Sequence, residues 1–304
     1  PPSDDYQGPQ GSEASPIRQS AALIARFLRE ARITGRLEHP SIVPVYELGR
    51  RENGSLYYTM RLVRGKTLRT VLQECKTLED RLKLLPNFVD LCMGIAYAHS
   101  RGVVHRDIKP SNIMIGEFGE TVIIDWGLAK VVGQTEDEHP SLEDTLHRLH
   151  GDQAVGPDKT LTGEVLGSPH YMSPEQAGGR ITEIDARSDV FSLGVLLYEI
   201  LSNHAAFDKS SIEAFIEQIQ NEDPVPISKR EAHVPKELAS ICYRAIQKEK
   251  SKRYSSAKQM GDDVNRFLAG SLVSAYNYTG YERFKRFYQS RRAVVNTAVT
   301  AVAL

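Results

Sequence analysis

The chain has 304 residues, with 38 basic and 39 acidic side chains and a formal net charge of −1. That length can bury a large core and divide into lobes, and the balanced charge speaks against a general nucleic-acid binder. Cys75, Cys92 and Cys242 are far apart and form no C-x-x-C pair, which speaks against a disulfide framework or a zinc site and for a reducing compartment.

Residues 1–19 are rich in Pro, Gly, Ser and Gln without an apolar period, so they read as a disordered segment. Ser20 can cap a helix to about Leu37 whose apolar stripe is Leu23, Ile24, Phe27, Leu28 and Ala31. His39-Pro40 closes it, because the residue before proline avoids the helical region. Ile42 to Leu48 and Leu56 to Val63 predict two strands around the polar turn Glu52-Asn53-Gly54. Thr77 to Ser100 predicts one helix with Leu82, Leu85, Phe88, Val89, Cys92, Ile95 and Ala96 inward. Ile113 to Ile115 and Val122 to Ile124 predict a tight hairpin turned at Gly116 to Gly119. Residues 133–160 carry seven acids and two bases and read as a long mobile loop, with a short helix possible near Leu142 to Leu149. Residues 186–201 are apolar nearly all round, as a helix inside a domain is. Further helices are expected to about Leu268.

The tail changes character. Residues 269–292 form a basic and aromatic segment, with five bases and one acid between Tyr281 and Arg292. Ala293 to Leu304 then runs without charge. Twelve residues fall short of the roughly 20 that span a bilayer, so the alternatives are a short buried helix and the start of a transmembrane helix. The basic and aromatic flank suits a cytoplasmic interface and favours the second.

The chemistry concentrates in His105-Arg106-Asp107-Ile108-Lys109-Pro110-Ser111-Asn112, with Asp125-Trp126-Gly127 downstream. An acid that can take a hydroxyl proton, a lysine, and two oxygen donors for a magnesium ion are what phosphoryl transfer requires. Alone, Asp107 or Asn112 reads as a turn cap; together they meet the pattern H-R-D-x-x-x-x-N in full.

These motifs, in this order and spacing, resemble the eukaryotic-type (Hanks-type) serine/threonine protein kinases, most of all their bacterial membrane-anchored group. The resemblance covers residues 20–268, with a partial N-terminal lobe at 20–63 and the hinge and C-terminal lobe at 64–268. It implies an α+β, bilobal fold with an incomplete N-lobe and a mainly helical C-lobe. It also implies transfer of the ATP γ-phosphate to protein Ser or Thr hydroxyls, with ATP and Mg2+ as cofactors. Asp107 matches the catalytic base, and Lys109 the lysine that steadies the transferred phosphate and favours Ser/Thr over Tyr. Asn112 and Asp125 match the magnesium ligands. Trp126 replaces the usual phenylalanine of its motif and is expected to serve as the same apolar plug. Asp189 matches the acid that braces the catalytic loop through its backbone amides; His105 and Arg106 open that loop and are counted with Asp189 and Arg253 as structural residues.

Gly167 to Glu175 resembles the end of an activation segment. Ser168 takes the place of a threonine that contacts the catalytic Asp and Lys, and Glu175 is expected to pair with Arg253. Arg106 beside Asp107 implies control by phosphorylation at Thr160 or Thr162, with Thr145 a weaker candidate; a homodimer would serve autophosphorylation. On the nucleotide side, Glu30 matches the helix glutamate that pairs with the ATP lysine. Met60 stands at the gatekeeper position, the backbones of Arg61 and Val63 would meet adenine, and Met114 would lie under the ring. Plain core filling is the alternative for the two methionines.

The glycine-rich loop and the ATP lysine of the resemblance are missing, and no lysine precedes Lys66. With Pro at position 1, a truncated form of an intact kinase is the expectation; the alternative is a pseudokinase serving as a binding or scaffold module. A small-molecule phosphotransferase would lack Ser173-Pro174-Glu175 and Arg253. His139, His147 and His150 have a spacing that could suit a metal, but in an acidic loop they read as solvated. The resemblance implies a cytoplasmic kinase domain on the inner face of the plasma membrane, anchored by a C-terminal helix, with no nucleic-acid partner.

Overall fold

The computed structural model describes residues 16–131, 169–207, 211–283 and 286. The expected N-terminal disordered segment falls largely outside them. So do the acidic loop with its three histidines, Thr145, Thr160, Thr162, Gly167, Ser168 and the run from Ala293 to Leu304. The fold is bilobal, a small β-containing lobe on a larger, mainly helical one.

The small lobe begins with α1, Pro16–Thr34. The predicted end at Leu37 is three residues late because the chain tightens: Arg36 and Leu37 donate to the carbonyls of Ile33 and Thr34 in 3₁₀ fashion. Thr34 returns its hydroxyl to the Glu30 carbonyl at 2.8 Å. Ala31, Ile33 and Leu37 are buried, whereas Ile24 at the other end of the apolar stripe is exposed. Strands β1 (Val45–Arg50) and β2 (Leu56–Met60) form an antiparallel hairpin that sets Leu48 opposite Tyr58 and Gly49 opposite Tyr57. Gly54 turns it at φ +83°, a conformation open to glycine without strain.

The predicted strand from Ile42 merges two different things. Pro44 has no amide to donate, and the chain before it leaves the hairpin. Ile42 instead bridges in parallel to Ile123, with Val43 donating to Ile123 and Ile123 donating to Ser41. This bridge joins the small lobe to the large one two residues from Asp125.

In the large lobe, β3 (Gly65–Thr67), β5 (Ile113–Gly116) and β6 (Thr121–Ile123) make a three-stranded antiparallel sheet in the order β3-β5-β6. A two-residue strand β4, Val103–Val104, pairs with β7, Lys130–Val131. Helix α2 (Leu68–Glu74) follows β3. The single helix predicted for 77–100 is two: α3 (Leu78–Leu82), capped by the reciprocal Thr77–Asp80 box, and α4 (Leu85–Ser100). Pro86 belongs in the first turn of a helix, where its missing amide costs nothing, so the chain breaks at Lys83 and Leu84.

After the short α5 (Pro174–Ala177) comes α6, Ala186–Ser202, which the sequence placed inside a domain. Val190, Phe191, Leu193, Leu196, Leu197 and Leu201 are all buried. Gly194 lets α9 (Lys236–Ala245) approach closely: a Cβ there would lie 2.7 Å from the Ala245 Cβ. Helices α7 (Ile212–Asn221), α8 (Ile227–Arg230) and α10 (Ala257–Leu268) complete the lobe.

The membrane anchor expected at the C-terminus, and with it the attachment to a plasma membrane, is corrected. Among the described residues no helix is long and apolar enough to cross a membrane. The described residues of the segment that was to lead into one fold back on the large lobe. Buried Asp263 accepts the Ser274 amide at 2.9 Å, the Ser274 hydroxyl at 2.6 Å and the Ala275 amide at 3.2 Å. Arg286 continues the clasp onto Glu237 and the Ser271 carbonyl.

A buried ion pair fastens the middle of the lobe. Arg253 meets both oxygens of Glu175, at 2.8 and 2.9 Å. Its remaining N–H groups donate to the carbonyls of Arg187, Lys248 and Gln247, so all five donors are used. Glu175 also accepts the Ser188 hydroxyl at 2.6 Å. Removing one partner strands a buried charge, which costs about 3–5 kcal/mol. Arg253→Ala is therefore expected to lower the urea midpoint at pH 7 by a corresponding amount. The pair replacement Glu175→Leu with Arg253→Met should cost clearly less, because no charge is left alone.

Candidate active site

Strand β4 delivers the chain into the loop from His105 to Asn112, and the start of α6 holds it there. Asp189 is fully buried and accepts the His105 amide on Oδ2 and the Arg106 amide on Oδ1, each at 2.8 Å. His99, near the end of α4, donates its Nε2–H to the same carboxylate at 2.7 Å. Arg106 sits at φ +70°, left-handed backbone that costs a non-glycine residue about 1–2 kcal/mol. Two amide bonds to one carboxylate fix that turn. Burial would raise the Asp189 carboxyl. The His99 hydrogen bond, the imidazoles of His99 and His105 and the Arg106 amide outweigh it and hold the group below the usual carboxylate range.

Three polar side chains then converge within six residues. Asp107 Oδ2 accepts Lys109 Nζ at 2.7 Å and Asn112 Nδ2 at 3.0 Å. Asn112 Nδ2 also donates to the Asp107 carbonyl at 2.9 Å, which leaves its amide oxygen as the available donor to a cation. Strand pairing brings in the fourth: Ile113 lies opposite Ile123, and Ile124 donates to the Asn112 carbonyl at 3.0 Å. Asn112 and Asp125 thus stand at the ends of neighbouring strands. Asp125 Oδ1 accepts the Gly127 amide at 2.9 Å. No group of three or more His, Cys, Asp and Glu side chains among the described residues could hold a metal. The local donors are one carboxylate and one amide oxygen, an incomplete oxygen set of the kind magnesium completes with phosphate and water.

Behind this cluster the Trp126 indole packs at a tilt against His105, with ring centroids 4.6 Å apart and both side chains buried. The Asp107 amide donates to His105 Nδ1 at 3.2 Å, so the neutral ring carries its proton on Nε2. Burial pushes the His105 imidazole below its usual range. Neither His105 Nε2 nor Trp126 Nε1 has a hydrogen-bond partner among the described residues.

Among the residues expected on the nucleotide side, Glu30 accepts the Tyr58 hydroxyl at 2.9 Å. Lys66, the first lysine of the chain, pairs with Glu74 at 2.7 Å. Met60 is half-exposed at the end of β2, the Arg61 amide donates to the Pro44 carbonyl, and Val63 follows in the link to β3. Met114 lies in β5 opposite Val122 and Thr67. The start of α5 touches the loop through Gln176, whose Nε2 donates to the Arg106 carbonyl at 2.8 Å.

Sequence reading missed His99, Tyr58 and Gln176. Tyr58 had a signal: it is two residues before Met60 on one strand, hence on the same face. His99 and Gln176 act across 90 and 70 residues, and no local pattern marks them.

The protein kinase domain family matches residues 13–264. A serine/threonine-protein kinase PknD of Protochlamydia amoebophila is 36% identical over 261 residues, covering 81% of this chain and 26% of that protein. A serine/threonine-protein kinase PknB of Mycolicibacterium smegmatis is 37% identical over 262 residues, covering 85% and 38%. The PknB of Mycobacterium tuberculosis is 34% identical over 262 residues, with the same coverage of 85% and 38%. The chain thus spans 26–38% of the length of these curated relatives.

Two outcomes follow from the geometry. A carboxyl held below its unfolded pKa of about 3.9 contributes stability that is complete above that value and lost as pH falls through the folded one. Wild-type urea midpoints should therefore drop on acidification below about pH 4, whereas Asp189→Asn should start lower at pH 7 and fall less steeply. In Trp126→Phe, lost packing is set against removal of an unpaired buried N–H worth about 1–3 kcal/mol. The change in unfolding free energy should stay under about 1 kcal/mol, against about 3–5 for Trp126→Ala.

Proposed function

The chain belongs to the protein kinase domain family, and we propose that it transfers the γ-phosphate of ATP to Ser or Thr hydroxyls of a protein. One observation carries the reading. Lys109 and Asn112 both hold Oδ2 of Asp107, at 2.7 and 3.0 Å, and Oδ1 carries no hydrogen bond among the described residues. Asp107 is thereby oriented with one oxygen for an incoming hydroxyl, and it orients that hydroxyl and accepts its proton. Lys109 offsets charge that develops on the transferred group. Asn112 Oδ1 and the Asp125 carboxylate are the residues that would hold Mg2+, which when bound neutralises phosphate charge. Met60, Arg61, Val63 and Met114 would line the adenine side. Arg106, next to the base, would be settled by a phosphate on Thr160 or Thr162, which makes activation by phosphorylation part of the reading.

A second reading, a binding module without transfer, is raised by the tyrosine hydroxyl that Glu30 accepts. The full-length protein, incubated with Mg2+ and radiolabelled ATP and a basic protein acceptor, separates the two. Transfer to Ser and Thr is expected. Asp107→Asn should reduce it by about 10²–10⁴-fold with an unchanged urea midpoint. Wild-type rates in that variant would refute the assigned base, and nucleotide binding without transfer by the wild type would select the second reading.

A further inference from the structure

Helix α1 carries a carboxylate that must reach the site, and its buried residues lie toward its C-terminal end from Ala31, so something must set where Glu30 stands. Phe27 and Glu30 are one turn apart on α1 and share a face. Tyr58 meets both. Its ring lies 4.9 Å from that of Phe27, and its hydroxyl donates to Glu30 Oε1 at 2.9 Å. Tyr58 is also close enough to the opposite wall for that wall's charge to be felt. Burial first, then the Glu30 hydrogen bond and charge, then the carboxylate of Asp125 push its phenol above the usual tyrosine range.

We propose that Tyr58 is a positioning residue: its phenol ties α1 to strand β2 and so sets Glu30 relative to the Asp125 loop. The function of the tie rests on the phosphotransfer reading given above; the tie itself does not. Three features mark the contact as specific. The partners are 28 residues apart, so the bond is tertiary. The donor is neutral, so it fixes the carboxylate without cancelling its charge. The aromatic contact and the hydrogen bond act on successive turns of α1, which restrains rotation of the helix as well as its distance.

The chain supplies its own control. Tyr57 points to the other face of the hairpin, where its ring covers Gly49: a Cβ at Gly49 would lie 2.7 Å from the phenol. Its hydroxyl also donates to a glutamate, Glu47, at 3.1 Å. Tyr57 therefore brings the same chemistry to the same strand but directs it at β1.

Tyr58→Phe and Tyr57→Phe in the full chain, compared by hydrogen exchange, steady-state kinetics and urea unfolding, test the proposal. A hydrogen bond to a charged group in a half-buried place is expected to show as about a 5–10-fold change. In Tyr58→Phe, amides of residues 27–34 should exchange faster by that factor and kcat should fall by the same order. KM for the protein acceptor should not change. Tyr57→Phe should match the wild type in exchange and kcat, and the two variants should unfold at similar urea concentrations. Exchange within twofold of wild type in Tyr58→Phe, or equal effects from both variants, overturns the proposal. If exchange rises while kcat stays at the wild-type value, the positioning role is refuted. A wild type that transfers no phosphate refutes the phosphotransfer reading instead, and protection of residues 27–34 then decides on the tie alone.

Discussion

The site depends on one buried carboxylate. Asp189 lies in the first turn of α6, a helix buried on almost every side, and its side chain is fully removed from water. A lone charge there would cost several kcal/mol. Three N–H donors and the positive end of the helix offset that cost. Because two of the donors are backbone amides of adjacent residues, satisfying Asp189 also forces the chain through the turn at Arg106. The strained turn and the buried charge thus stabilise each other, and neither has a reason to persist without the other.

From that turn the geometry propagates over short distances. Asp107, Lys109 and Asn112 are within six residues, and their mutual hydrogen bonds need no further long-range help. Asp125 is placed by strand pairing with the chain that follows Asn112, which is again local. The second long-range tie is the Glu175–Arg253 pair, which fixes α5 to the helices behind it. Gln176, the next residue, then reaches the Arg106 carbonyl, so the same pair indirectly supports the catalytic loop.

This division explains what was legible in the sequence. The loop and its neighbour strand could be read because spacing in the chain is spacing in the site. The buried helix α6 could be read because its residues are apolar on all sides. The break at Lys83 and Leu84 was hidden because the apolar rhythm runs across it and only Pro86 marks the turn. The role of Ile42 was hidden because a lone bridge and a strand have the same composition. The tail misled for a similar reason: basic and aromatic residues suit a membrane interface, yet Arg286 serves Glu237, and Asp263 holds the segment before it. Tyr58 lay between the two readings, since its face followed from period two but its partner did not.

The two lobes also differ in how much holds them. A two-stranded hairpin is marginal on its own, and β1 and β2 leave Tyr46, Leu48 and Met60 partly or largely exposed. Their fixed points are the Ile42–Ile123 bridge, the buried end of α1 at Ala31 to Leu37, and the contact of Tyr58 with Phe27 and Glu30. The first two lie on the side of the large lobe; the third acts near the middle of α1. A helix held at one end can pivot, and the far end moves most. The lever that moves Glu30 is therefore short and has a hydrogen-bonded stop on β2, so a change as small as one phenol oxygen can alter where that carboxylate stands while the loop from His105 to Asn112, held by Asp189, stays as it is.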